Sequence, residues 1–483
     1  MKESQSWDQV LTTFKKIWGY DNFRTPQGEI VKTILEKKDA LIVMPTGGGK
    51  SLCFQLPALL EDGLTLVISP LVALMENQVQ DLQKRKLAAA SLHNELPRET
   101  RKQTLQLIEQ QKLRLLYLSP ETLLSSPVWE RLTQKEIKIN GLILDEAHCL
   151  VQWGETFRPS YRRLGVVREA LLKTKPPETK IAIAAFTATA DPQSQKIITE
   201  TLNLKNPDLF LISPYRPNLN LKVEIVWTPR GRKQKMLNFI TARKNQSGLV
   251  YVRSRQDSEK LSQWFNQQNY QTAAYHAGLS ASQRRKIENQ WLNNDLKFVI
   301  CTNAFGMGID KSNVRWIVHF HAPQLLAEYI QEVGRGGRDG KQTDTLTLIS
   351  EPTGIFNPED RNRNQFFLEN TQKQYQKAEN IIKKIPPQGN IDLISQQYQG
   401  GDITLAILHR MGKITWLDPF SYQINLNKSA ISLPELIKQQ REINHQMTDY
   451  LTTKECRWQF LLKAFGFPEE AKGLKCGNCD HCR

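Results

Sequence analysis

The sequence predicts an α/β protein: two tandem parallel-sheet lobes, then a mainly helical C-terminal region that ends in a metal-binding module. Three observations predict it. Short β-branched and apolar runs alternate with helical-looking segments over the first 350 residues. A glycine turn, Met44-Pro45-Thr46-Gly47-Gly48-Gly49-Lys50-Ser51, joins the first of those runs to a helix start. Four of the seven cysteines crowd the last 28 residues.

At 483 residues the chain is too long for one core. The expected division is a first lobe over 1–207, a second over 208–350, a helical linker over 351–430 with room for a winged-helix-like insertion, and a zinc module over 431–483. Lys and Arg exceed Asp and Glu by 65 to 49, a net charge of +16 and the sign expected of a protein that meets phosphate backbones. No apolar run reaches membrane-spanning length and the N-terminus lacks a signal-peptide core, so a cytoplasmic location is expected.

Ahead of the glycine turn, Phe14, Gly19-Tyr20, Phe23-Arg24 and Gln27 form a polar and aromatic cluster. A Gln amide donates and accepts at once, which suits the N6 and N7 groups of adenine. The run Ala40 to Val43 then reads as a strand, and Gly47, Gly48 and Gly49 let the backbone curl with its N–H groups toward a polyphosphate at the helix N-terminus. Lys50 would reach the β- and γ-phosphates and the Ser51 hydroxyl would hold Mg²⁺. Met44 stands where the usual P-loop pattern has glycine.

Thr65 to Ile68 and Leu115 to Leu118 read as buried strands closed by Ser-Pro turns. Gly141 to Leu144 is a third, and it delivers Asp145-Glu146-Ala147-His148 at its C-terminal end, where α/β sheets place their ligands. Asp145 would bind Mg²⁺, and Glu146 would orient and deprotonate an attacking water. Next come Trp153, Phe157, Arg158, Tyr161, Arg162 and Arg163. Aromatic faces interleaved with guanidinium groups suit a single-stranded nucleic acid, offering planes for bases and charge for phosphates. Thr187-Ala188-Thr189 closes the strand Ile181 to Ala185 as another small polar turn.

In the second lobe, strand-like runs at Gly248 to Val252, Phe298 to Cys301 and Trp316 to Phe320 flank segments such as the helical-looking Asp257 to Gln267. Its turns hold no second P-loop. They carry Thr302, Gly306, Gly308 and Asp310, then Gln331 and Gly334-Arg335-Gly336-Gly337-Arg338-Asp339-Gly340, where guanidiniums can reach a phosphate.

Together these residues resemble a superfamily 2 helicase and, within that group, the RecQ family of ATP-dependent DNA helicases, over residues 10 to 345. The resemblance rests chiefly on Phe23 to Gln27, Met44 to Ser51, Asp145 to Cys149, Gln152 to Tyr161, Ala304 to Lys311 and Gly334 to Gly340. It implies two RecA-like lobes and translocation 3′ to 5′ on DNA, with single strands and duplexes bearing a 3′ tail or fork as partners. By the same resemblance Tyr20, Arg24 and Gln27 hold adenine, and Gly47 to Ser51 and Gln331 contact the nucleotide. Arg335 and Arg338 would face the γ-phosphate, Arg338 as the arginine finger, and Trp153, Phe157, Arg158 and Tyr161 would contact nucleic acid. Three departures leave every catalytic group in place: Gly336 where alanine is usual, Arg253 where asparagine is frequent, and Ser312 where proline is frequent. An RNA helicase and a non-catalytic nucleic-acid scaffold are the competing readings; intact Lys50, Glu146 and Arg338 weigh against the second.

The C-terminal third departs from the family's usual order, in which the cysteine cluster follows the second lobe and a winged helix comes after it. Here the chain ends one residue past Cys482, which leaves no room for either the winged helix or a terminal helical domain in the usual place. Asp392 to Tyr398, Asp402 to Met411 and the hairpin-like Ile414 to Leu426 read as a small winged helix moved ahead of the cluster, and Leu433 to Leu451 as a long helix. Cys456, Cys476, Cys479 and Cys482 form a C-x₁₉-C-x₂-C-x₂-C array that fits one structural Zn²⁺. Their distance in sequence from Lys50, Glu146 and Arg338 predicts that zinc sustains the C-terminal third and not ATP hydrolysis. ATP, Mg²⁺ and Zn²⁺ are thus the expected cofactors.

Overall fold

A computed structural model of the chain describes residues 6–152, 158–305, 311–425 and 431–482. They form two compact units, each discontinuous in sequence: Met1–Ile212 with Gln374–Leu433, and Ser213–Lys373 with Pro434–Arg483. The first lobe's boundary thus falls five residues beyond the expected 207, and the expected 351–430 segment is divided between the two units.

The first unit is built on seven strands: β1 (Ala40–Val43), β2 (Leu64–Ile68), β3 (Ala89–Leu92), β4 (Leu115–Leu118), β5 (Ile139–Leu144), β6 (Ala182–Thr187) and β7 (Asp208–Leu211). They pair in the order β3-β4-β2-β5-β6-β1-β7, every pair parallel. Helices cover both faces of such a sheet, so its strands are apolar almost without interruption. Leu41, Val43, Leu66, Ile68, Leu116 and Leu118 face one layer, and Ala40, Ile42, Val67, Leu115 and Tyr117 the other. The sheet order sets the ends of β5, β6 and β1 side by side, which brings the carboxylate pair, the Thr-Ala-Thr turn and the glycine turn to one edge.

The second unit repeats the plan with β8 (Leu219–Val226), β9 (Ser247–Tyr251), β10 (Thr272–Tyr275), β11 (Phe298–Cys301), β12 (Val314–His319) and β13 (Thr343–Ser350), ordered β10-β11-β9-β12-β13-β8 and again all parallel. Its far edge is β8.

Past β13 the helix Glu359–Ile382 leads to β14 (Gln388–Asn390), helices Ile391–Gln397 and Gly401–Arg410, then β15 (Ile414–Trp416) and β16 (Ser421–Ile424). The three strands pair antiparallel as β14-β16-β15. Ile391, Ile394, Leu405, Leu408, Met411, Ile414, Trp416 and Tyr422 are buried in this small region. A helix Leu433–Thr452 follows, and then the cysteine module. Among the described residues no helix is long and apolar enough to cross a membrane.

Candidate functional site: the glycine turn, the carboxylates, the arginine turn and the cysteine cluster

The glycine turn leaves β1 and enters the helix Lys50–Leu60 through Gly47 (φ 84°) and Gly49 (φ 81°), in the left-handed region that a side chain resists. Met44, at 2% exposure, lies beneath Gly48, and a Cβ there would stand 2.7 Å from its Cγ. The departure from the usual pattern thus packs under the turn without blocking it. Lys50 Nζ is shielded from solvent and has no hydrogen-bond partner among the described residues. A buried ammonium in that condition costs free energy unless an anion meets it. Asp145 is the charged neighbour that feels it. The half-buried Ser51 begins the same helix. These residues fit a nucleotide polyphosphate, with Ser51 and Asp145 as the pair that could hold Mg²⁺.

Asp145 is 4% exposed, and burial, reinforced by the Glu146 carboxylate and opposed by Lys50, raises its pKa to about 6. The Glu146 amide donates to Asp145 Oδ1 at 3.1 Å. Glu146 itself adopts φ 54°, a left-handed conformation that costs a non-glycine residue about 1–3 kcal/mol and is tolerated where surrounding contacts dictate it. Those contacts are on the page. The Ala147 amide donates to Phe186 O at 2.8 Å, and His148 Nδ1 lies 3.2 Å from Glu146 Oε2 and 3.1 Å from Thr187 Oγ1. The Met44 amide donates to Thr187 O at 2.9 Å. β6 therefore ties the carboxylates to the glycine turn.

Gln27 is buried and its amide is used within the lobe: Nε2 donates to Gly48 O at 2.8 Å and Oε1 accepts from the Arg24 amide at 3.0 Å. It braces the glycine turn as well as presenting its remaining N–H and lone pair. Tyr20, 56% exposed, stands beside Phe14 with ring centroids 5.9 Å apart, and Arg24 is exposed.

The structure describes the aromatic-rich stretch from Arg158 onward, and there it removes one expected contact, Tyr161. Trp153 and Phe157 lie outside the described residues. Arg158 pairs with Glu121 at 2.9 Å. Tyr161 is fully buried among Leu150, Leu164 and Val167 in the lobe's core, so its ring has no face to offer a base. Arg162 is buried with Nη1 3.3 Å from Thr201 Oγ1, and Arg163 Nη1 donates to Pro419 O at 2.9 Å. An alternation of aromatic and basic residues cannot by itself distinguish a binding face from a 3-10 helix, here Pro159–Val166, whose aromatic side packs inward.

In the second unit Gln331 is buried on the helix Leu326–Val333, which leads into the arginine turn. Arg335 is also buried, with its guanidinium beside Tyr251, and Arg338 is half-buried. Arg253 pairs with two acids of that helix, Glu332 at 3.0 Å and Glu328 at 3.7 Å, and His319 Nε2 lies 3.0 Å from Glu332. Gly336 replaces alanine where a Cβ would fall 2.5 Å from Thr343 Cγ2. The sequence reading missed Arg216, whose Nη2 donates to Gly336 O at 2.9 Å and Gly337 O at 2.6 Å and so shapes the turn. No local motif marks it, because its partners lie 120 and 121 residues further on.

The four terminal cysteine sulfurs lie within 4.8 Å of one another, Cys456 and Cys479 at 4.0 Å, close to the ~3.8 Å that tetrahedral Zn–S bonds impose. Backbone N–H groups of Cys476, Asn478 and Arg457 point at Cys456, Cys476 and Cys479 Sγ at 3.4–3.5 Å, as thiolate ligands require. The donor set fits zinc. Buried Arg457 donates to Asp480 Oδ1 at 2.6 Å and Oδ2 at 2.9 Å, while Asp480 in turn meets the open edge of β8, accepting from the Val223 amide at 3.0 Å. Trp458, Leu461, Tyr450 and Cys479 share one core with Leu219, Leu221, Tyr329, Ile330 and Val333. The module shares its core with the helix that carries Gln331 and leads to Arg335, a route by which loss of zinc would reach the second lobe as well as the C-terminal third.

A glycine turn with an uncompensated lysine, a buried carboxylate pair at the next-but-one strand end and a second lobe bearing an arginine turn define a two-lobed nucleotide hydrolase of the helicase class. The family model described as DEAD/DEAH box helicase matches residues 24–197, that of the helicase conserved C-terminal domain residues 231–340, and that of RecQ zinc-binding residues 424–483. The chain belongs to the RecQ family: it is 50% identical over 482 residues to the ATP-dependent DNA helicase RecQ of Synechocystis, spanning 100% of this chain and 99% of that one. The probable ATP-dependent DNA helicase RecS of Bacillus subtilis is 38% identical over 342 residues, 70% of this chain and 66% of its own. Among solved structures, Mss116p bound to single-stranded RNA and AMP-PNP superposes with a TM-score of 0.60 at 19% identity, covering 73% of this chain and 74% of that one. Lhr of Mycobacterium smegmatis bound to single-stranded DNA and AMP-PNP gives 0.56 at 19%, covering 71% and 48%. At such identity these two show the fold alone.

Proposed function

We propose that the chain hydrolyses ATP to unwind duplex DNA, moving 3′ to 5′ along the strand it grips, in DNA repair, recombination or replication. The observation that carries the reading is Lys50 Nζ, shielded from solvent at the glycine turn with no hydrogen-bond partner among the described residues and within the field of Asp145. The preference for DNA over RNA rests on the relatives' names, which are those of DNA helicases. Tyr20 supplies an exposed ring, and Arg24 and Gln27 polar groups, for adenine; Lys50 and the turn's N–H groups take the phosphates. Mg²⁺, held by Ser51 and Asp145, would neutralise charge on the β- and γ-phosphates. Glu146, fixed by its own backbone and by His148, orients the attacking water and takes its proton. Arg335 and Arg338 would answer charge on the γ-phosphate, Arg338 as the arginine finger.

The test is unwinding of duplexes with 3′ tails, 5′ tails or forks in the presence of ATP and Mg²⁺. Activity on 3′-tailed and forked DNA alone is expected. Lys50→Ala should cut hydrolysis by about 100-fold while leaving DNA binding within a few-fold. Stimulation of hydrolysis by RNA and not by DNA would replace this reading with the RNA helicase, and an absence of hydrolysis with the scaffold.

A further inference from the structure

The small region inside the first unit runs helix, strand, helix, helix, strand, strand, with strands ordered β14-β16-β15. That is the connectivity of a winged helix, a fold whose second paired helix commonly enters a DNA groove with polar and basic side chains on its outer face. Here the helix in that position is Gly401–Arg410, and it has no such face: Thr404 is 2% exposed and Leu405, Ala406, Ile407 and Leu408 are all at 0%. The helix packs against the 3-10 helix Pro159–Val166 of the first lobe. His409 meets Arg162 there, and burial together with that guanidinium lowers the imidazole to about 4, so it carries no charge for a phosphate. Arg410 is turned to the Tyr375 hydroxyl at 3.2 Å.

The hairpin tip makes the same choice of partner. Asp418 Oδ1 accepts from the Phe420 and Ser421 amides at 2.7 and 2.8 Å, which fixes the turn between β15 and β16. Pro419 O then accepts from Arg163, and the Phe420 ring meets Trp129 edge-on, centroids 5.5 Å apart at 74°. Asp392 and Asp402 add negative charge near Arg163. Both surfaces with which a winged helix could touch DNA, helix and hairpin, are thus turned to the 3-10 helix and the helix Ser126–Leu132. Pro159 directly follows Arg158.

We propose that this winged-helix-like region reads the first lobe in place of DNA: Phe420, the Pro419 carbonyl and the helix Gly401–Arg410 fix the 3-10 helix, and Arg163 and Phe420 are positioning residues that couple DNA binding to ATP hydrolysis. The inference rests on the ATP-driven DNA unwinding proposed above, with DNA as the stimulus of hydrolysis. It explains why the sequence spends two arginines, Arg162 and Arg163, beside Arg158 without presenting them to a phosphate.

The test uses the full chain with Phe420→Ala, Trp129→Ala, the double substitution and the conservative Phe420→Trp. Hydrolysis is measured without DNA and as a function of oligothymidylate concentration, and affinity for the same oligonucleotide and for a blunt duplex by fluorescence anisotropy. Each alanine variant should lower the DNA-saturated rate about fivefold, with the DNA-free rate and both affinities within about twofold. The double variant should be no worse than either single one, because the two rings form one contact. Phe420→Trp should restore more than half of the stimulation. Loss of duplex affinity with full stimulation would make the region a DNA reader and overturn the proposal. An equal fractional fall of both rates, or additive losses in the double variant, would also overturn it by reducing the contact to a stability role. A wild-type protein indifferent to DNA would instead overturn the functional reading on which it rests.

Discussion

The two regions added to the lobes are attached in opposite ways. The zinc module has no boundary with the second unit: Trp458 at 0% exposure lies in one core with Tyr329 and Val333, its Nε1 donates to Leu219 O at 3.4 Å, and the Asp480 amide donates to Leu221 O at 3.1 Å along the sheet edge. That also covers an edge strand that would otherwise offer unpaired backbone to another chain. The winged-helix-like region has buried apolar residues of its own and meets the first lobe through a helix face, the Phe420–Trp129 ring pair and the arginines Arg162 and Arg163. A shared core makes a region part of the fold, whereas a docked face makes it an adjustable contact. The difference can be measured.

The largest effect is expected from the metal. In small zinc modules the ion supplies on the order of 10 kcal/mol of folding free energy, comparable to the whole stability of a domain. Chelation or Cys479→Ser should remove about one equivalent of zinc, expose residues 430–483 to protease and reduce DNA-free hydrolysis more than tenfold, because the helix Leu326–Val333 loses its packing. Elemental analysis, limited proteolysis and an ATPase assay read the three. Unaltered DNA-free hydrolysis in the metal-free protein would dissolve the comparison.

A smaller effect follows from Trp458→Ala. Deleting a fully buried Trp costs about 3–5 kcal/mol, and the expected result is a clear fall in Tm with zinc still bound. If Trp458 were only a surface cover for β8, Tm would stay within a degree or two. The smallest effect belongs to the docked contact. Arg163→Lys keeps one donor for Pro419 O and loses the one 3.3 Å from Ser160 Oγ, so stability should change by less than about 1 kcal/mol while DNA-stimulated hydrolysis falls about twofold. A stability loss rivaling that of Trp458→Ala would mean that the region is fused to the lobe.

Contiguity decided what could be read in advance. Met44 to Ser51, Asp145 to His148 and the terminal cysteines each carry their chemistry in a few neighbouring residues, and β1, β4, β5, β9 and β11 are runs of apolar residues that both covered faces demand. β3 was not read, since Ala89-Ala90-Ser91-Leu92 has neither branched nor aromatic side chains to mark a strand. β8 and β13 were missed because Lys222, Glu224, Asp344 and the threonines interrupt the apolar pattern on an edge and its neighbour. Side-chain partners far apart in the chain left no signal at all: Arg163 and Pro419 are 256 residues apart, and Tyr161 gives no sign in its own neighbourhood that Leu150 and Val167 enclose it.

The path of the backbone between the units has a consequence for anyone who would take the molecule apart. The chain passes from one unit to the other after Ile212, inside the helix Glu359–Ile382 between Lys373 and Gln374, and again after Leu433 at the head of the helix Leu433–Thr452. Three covalent strands therefore join the two bodies, and a protease nick at the first crossing leaves two intact. Neither unit is a contiguous fragment that expression can deliver: a truncation at residue 350 omits a piece of both. During synthesis the last sixty residues of the first unit emerge only after the strands of the second sheet have done so.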